Sequence, residues 1–209
     1  TRPQPTSKQI LGACDLMGRL GVAEAFDMWE QPKNPLDYSS YFKKNWKRDL
    51  ESMILRDRNH PSVIFWSIGN EVYERADTSG VRIAKQLVAT VKSLDKTRPV
   101  TQAVCLFWDH PGYNWSNSVP AFASIDVGGY NYEWQEYEND HKKFPERIMM
   151  GTESFPVQAF ENWNLVEKNS WVIGDFVWTG MDYLGESGIG HVYYDKAAFS
   201  MRWPYYNSW

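Results

Sequence analysis

Nowhere in these 209 residues does an apolar run approach the roughly 18 positions that a bilayer-crossing helix needs, so no membrane partner is expected. The start shows no charged-then-apolar leader. The compartment, whether periplasmic, secreted or cytoplasmic, stays open. Cysteine is scarce. Cys14 and Cys105 stand alone on apolar stretches, where packing explains them better than a disulfide. Charge of one sign is also lacking: a net charge of −4 with scattered basic residues leaves no electrostatic footprint for nucleic acid. Histidine is sparse as well. His60 reads as structural, and His110, His141 and His191 are too isolated for a zinc pair. Gly185-Glu186-Ser187-Gly188 is followed by Ile189 rather than glycine, so it is no serine elbow. Gly188-Ile189-Gly190 lacks the third glycine of a dinucleotide loop. No internal repeat or low-complexity segment is evident.

What the chain does have is the composition of a folded domain with a sizeable core, and an excess of aromatic residues. Hydrophobic residues at 43% and charged residues at 23% exclude a disordered chain. Aromatics reach 16%, with 11 tryptophans. Flat rings stack on the apolar faces of sugars, and they also fill large cores; composition does not separate the two.

Helical and extended stretches alternate. Ser7 is placed to cap a helix with the apolar face Ile10, Leu11, Cys14, Met17 and Leu20. Phe42, Trp46, Leu50, Met53 and Ile54 recur at helical spacing, and that helix must stop near Asn59-His60-Pro61. Asp77 or Thr78 caps a further helix with Val81, Ala84, Leu87, Val88 and Val91 inward. Strands are expected at Gly21–Phe26, Val63–Gly69, Val100–Val104, Asp126–Asn131, Ile148–Thr152 and Val172–Trp178. Strand–helix alternation argues for an α/β fold with a parallel sheet. Strands that run apolar into polar ends, as at Gly69-Asn70-Glu71 and Gly151-Thr152-Glu153, suit a TIM (β/α)8 barrel, whose chemistry gathers at the C-terminal strand ends.

Six strands are two short of closure. We therefore expect an incomplete barrel with strands 3 to 8 present, the catalytic domain occupying residues 1–198 without its first two strands. Residues 199–209 would form an aromatic tail toward a missing C-terminal region. Unpaired sheet edges leave a homo-oligomer open.

Two strand-end glutamates suggest one chemistry. Hydrolysing a glycosidic bond with retention needs an acid for the leaving oxygen and a carboxylate nucleophile roughly 5–5.5 Å away. Glu71 and Glu153 would both stand at the barrel mouth, with surface or helix-capping glutamates as the competing reading. Longer strings sharpen this. Arg56-Asp57-Arg58-Asn59-His60-Pro61-Ser62-Val63, running into Trp66-Ser67-Ile68-Gly69-Asn70-Glu71, resembles the acid/base signature of glycoside hydrolase family 2. Gly151-Thr152-Glu153-Ser154 resembles its nucleophile segment, and Gly174-Asp175-Phe176-Val177-Trp178-Thr179 its eighth strand.

The resemblance implies a retaining exo-β-glycosidase acting on an oligosaccharide or β-glycoside, most similar to β-galactosidases. β-Glucuronidase and β-mannosidase are the alternatives within the family. An inactive carbohydrate-binding or structural fragment is the alternative outside enzymes. It further implies Glu71 as acid/base, Glu153 as nucleophile, and Tyr132 as the phenol contacting the nucleophile. Asn70 would bind the hydroxyl beside the reacting carbon, and Trp178 would stack on the sugar. A strand-end tyrosine and a core tryptophan are the plain alternatives for Tyr132 and Trp178. Some members bind Mg2+ or Na+; no metal site is readable here, and no cofactor is required. The chain departs from the family at Arg2-Pro3-Gln4-Pro5, where Ser-His-Asn-Pro is common, and at Ala23-Glu24 in place of Asp-Glu. Sugar specificity is thereby left open, with Glu24 and Asp27 as candidate pocket residues.

Overall fold

A computed structural model describes residues 6–178. The elements in chain order are α1 (Lys8–Met17), β1 (Gly21–Glu24), α2 (Ser39–Asp57), β2 (Val63–Asn70), α3 (Thr78–Leu94), β3 (Val100–Val104), β4 (Val127–Asn131), α4 (Tyr137–Lys143), β5 (Met149–Ser154), α5 (Ala159–Lys168) and β6 (Val172–Val177). All five strand pairings are parallel, in the sequential order β1-β2-β3-β4-β5-β6. This is a curled arc of a (β/α)8 barrel.

Alternation along each strand sorts the core into two sides. Outward residues Trp66, Ile68 and Val100, with Val63 at the start of its strand, pack under α2 and α3 with Leu50, Ile54, Leu87 and Val91. Further round, Val104, Tyr130, Met149 and Val172 pack with Trp115, Phe122 and Tyr137. The inward side is apolar only low in the barrel, where Val22, Phe65, Val127 and Met150 cluster. One pleat higher, the same faces carry Glu24, Ser67, Gly129 and Thr152, so the interior turns polar toward the C-terminal strand ends.

Caps and stops follow local chemistry. Ser7 Oγ accepts from the Ile10 N–H, and Asp77 Oδ1 accepts from those of Ser79 and Gly80. The helix α2 ends at Asp57, ahead of His60-Pro61. One expectation fails. Of the proposed α1 face only Leu11 is buried, while Ile10, Met17 and Leu20 are exposed. Gly18, at φ 63°, closes the helix, so Leu20 lies beyond it, and among the described residues nothing covers the rest of that face. In α3 the inward residue is Ile83, with Val81 only half-buried. The strands β2 and β5 also reach further than expected, which places Asn70 and Glu153 inside the ladder.

Candidate active site

A pocket opens at the C-terminal strand ends, lined by Val22, Glu24, Ser67, Asn70, Ala103, Thr152, Glu153 and Phe176. The end of β2 is held from several sides. The Asn70 N–H donates to Phe26 O at 2.9 Å, and the Glu71 N–H to Ala103 O at 2.8 Å. Trp29 Nε1 donates to Ile68 O at 2.9 Å, and its ring lies so close that a Cβ on Gly69 would come within 2.9 Å of it. Glycine is required there because the indole occupies the space a side chain would need. Immediately after the strand, Glu71 adopts φ 46°, and Tyr132 after β4 adopts φ 63°. Left-handed backbone is costly for residues with a Cβ, and such positions persist where the surroundings enforce them.

Glu71 and Tyr132 are tied to neighbouring hydrogen-bonded groups at the end of β4. Asn131, wholly buried at the end of β4, donates through Nδ2 to Glu71 Oε1 at 2.9 Å and to Asn70 Oδ1 at 3.0 Å. Its Oδ1 accepts from Thr152 Oγ1 at 2.6 Å. One residue on, the Tyr132 hydroxyl donates to Glu153 Oε2 at 2.7 Å, and its N–H donates to Glu153 O at 2.7 Å. Tyr132 also stacks on Phe155, with centroids 4.4 Å apart. Burial pushes the Glu153 carboxyl up to about 7; the Tyr132 hydrogen bond opposes this, the charge of Glu71 adds to it, and Lys33 pulls it back. Burial also raises the Tyr132 phenol, and its bond to Glu153 raises it further.

Glu24 and Asp27 both reach this region. Glu24 is buried in the pocket and accepts from Ser67 Oγ at 2.6 Å. Burial lifts its carboxyl to about 7 against that hydrogen bond, with the charge of Glu153 adding to the rise. Asp27 accepts from Lys33 Nζ at 2.7 Å and from Asn70 Nδ2 at 3.3 Å, and Lys33 also donates to Asn70 O at 2.9 Å. Trp178 stands just past β6, its N–H donating to Ser154 O; it is 37% exposed and is not among the residues lining the pocket.

His60 lies at the opposite end of β2, its Nδ1 2.6 Å from Asp15 Oδ2. Arg2–Pro5, Thr179, the Gly185–Gly190 motifs, His191 and residues 199–209 lie outside the described residues. Among the described residues no group of three or more His, Cys, Asp or Glu side chains is clustered as for a metal.

Sequence reasoning missed Asn131, Thr152 and Lys33 as parts of the site. Asn131 and Thr152 sit within the strings Gly129-Tyr130-Asn131-Tyr132 and Gly151-Thr152-Glu153-Ser154, so a buried polar residue at a strand end was the available signal. Lys33 lies in an irregular loop and carries no such signal.

A family profile, glycosyl hydrolases family 2, TIM barrel domain, matches residues 10–154. The chain belongs to this family. Beta-galactosidase BoGH2A of Bacteroides ovatus is 34% identical to this family 2 chain, over 87% of the chain and 30% of the relative. Human beta-glucuronidase is 23% identical, over 97% of the chain and 35% of the relative. Among solved structures, a glycosyl hydrolase family 2 member from Bacteroides cellulosilyticus superposes with a TM-score of 0.81 at 48% identity. That match covers 88% of this chain and 23% of the other. The chain thus spans about a third or less of the length of these relatives.

Proposed function

We propose that the protein is a retaining exo-β-glycosidase acting on terminal β-linked sugars, with a β-galactoside as the leading substrate. One observation carries the reading. Two carboxylates from separate strand ends, Glu71 and Glu153, each accept a hydrogen bond from one of two adjacent residues at the end of β4, Asn131 and Tyr132. In this mechanism a Glu153 carboxylate oxygen attacks the anomeric carbon while Glu71 gives its proton to the departing oxygen. A glycosyl ester on Glu153 results. Glu71 then takes a proton from water, whose oxygen attacks the same carbon from the opposite face and releases Glu153. Asn70, held by Asn131 and Asp27, is placed to bond the hydroxyl next to the reacting carbon. Tyr132 holds the Glu153 rotamer and favours its charged form.

A β-glucuronide is the second reading, supported by the relatives that carry that name.

The test uses the full-length protein with chromogenic β-galactoside, β-glucuronide and β-mannoside. Glu153→Ala should abolish turnover, with azide restoring it and giving the α-glycosyl azide. Glu71→Ala should still attack an activated aryl glycoside, with azide then yielding the β-glycosyl azide. Reversed anomers would exchange the two roles. Wild-type rates in both variants on unactivated substrates would sink the reading.

A further inference from the structure

The rim of the mouth beside Glu71 is aromatic and uncovered. Tyr73, two residues past Glu71, is 40% exposed. Ala103 lines the pocket, and from it the chain runs through Cys105 into Leu106 (41% exposed), Trp108 (73%), His110 and Tyr113 (45%). The Glu71 N–H donates to Ala103 O at 2.8 Å, so the loop after β3 starts beside Glu71. The rings of Tyr73 and His110 lie 4.1 Å apart at 32°, and those of His110 and Tyr113 lie 5.5 Å apart at 37°. His110, with only 11% of its side chain exposed, is sandwiched between the two tyrosines, whose rings stay open.

The rim is rigid. Arg75, only 1% exposed, donates to the carbonyls of Val72, Cys105 and Leu106 and is clamped by Asp109. Its guanidinium lies 4.8 Å from the centre of the Phe107 ring. A buried arginine therefore ties the loop after β2 to the loop after β3. The second loop carries a short 3-10 turn, Trp115–Phe122, where the repeat would place an α-helix.

Chemistry says which part of a substrate meets this rim. An acid that protonates the departing oxygen must lie within hydrogen-bond reach of it, so the leaving group sits on the Glu71 side. We propose that Tyr73 and Tyr113, held apart by His110, with Leu106 and Trp108 beside them, form the leaving-group subsite, and that it takes a group with a flat apolar face. That face is a further sugar ring or an aromatic ring. Rings pre-set by the Arg75 clamp stack on it with little ordering cost. The inference rests on the glycosidase reading above.

The test compares three substrates of one sugar in the full-length protein: the glycosyl fluoride, whose leaving group has no ring, a β-linked disaccharide and a phenyl β-glycoside. In Tyr73→Ala and Trp108→Ala, kcat/KM for the ringed substrates should fall about tenfold relative to the fluoride. Tyr73→Phe should preserve the ratio. A fall confined to the disaccharide identifies a sugar ring, and one confined to the phenyl glycoside identifies an aromatic group. Unchanged ratios, or an equal loss on all three substrates, would overturn the subsite while leaving the glycosidase intact. A wild-type protein inert toward all three would remove the glycosidase reading and the subsite with it.

Discussion

Replacing Tyr132 by phenylalanine removes one oxygen and little else. The ring remains to stack on Phe155, and the left-handed backbone at φ 63° is as costly for phenylalanine as for tyrosine. What goes is the 2.7 Å hydrogen bond to Glu153 Oε2, which favours the charged carboxylate against burial. Hydrogen bonds to charged groups are worth about 1.5–3 kcal/mol. At 1.36 kcal/mol per unit, that is about one to two pK units. Water entering the space left by the hydroxyl would recover part of this, so a rise of about one unit is expected. Attack requires ionised Glu153, whose carboxyl already stands at about 7. Rate is therefore lost as pH falls through that value, and the loss should begin at higher pH in the variant. The assay is kcat/KM against pH, which reports the free enzyme. An acid limb that stays put or moves down would refute the argument, as would a uniform loss at every pH.

Glu24→Gln should stabilise the protein at pH 8 and change little at pH 4. The Glu24 carboxyl is lifted from 4.5 to about 7, so the folded state holds its proton while the unfolded state releases it. Stability should fall as pH rises from about 4.5 to 7, and the amide should recover about 2 kcal/mol of it. Denaturant melts at both pH values measure this, and a variant destabilised at pH 8 would count against it. Asn131→Ala should cut turnover of an unactivated glycoside about a hundredfold, because Glu71 loses its 2.9 Å donor and its orientation. A glycoside with a good leaving group should suffer far less in the first step, and equal losses in pre-steady-state kinetics would show that Asn131 does not act through the acid.

Local pattern marked all six strands and the helices α1, α2 and α3, though not α4 or α5, because capping, proline exclusion and side-chain alternation act within a few residues. Asp77 caps α3, His60-Pro61 forces the end of α2, and apolar runs ending in Asn70-Glu71 and Thr152-Glu153 mark strand ends at one face of a parallel repeat. The family strings also lie in the sequence itself, and they named both glutamates, Asn70 and Tyr132. Tertiary structure decided the rest, since hydrogen-bond partners depend on strand register and loop path, which periodicity does not encode. Asn131 meets Asn70 across 61 residues, and Lys33 meets Asn70 across 37. Arg75 reads as one more charged residue after a strand until the loop after β3 closes over it. The apolar stripe of α1 makes the same point in reverse. Helical spacing says which side of a helix is apolar, and only the packed fold says whether anything covers it.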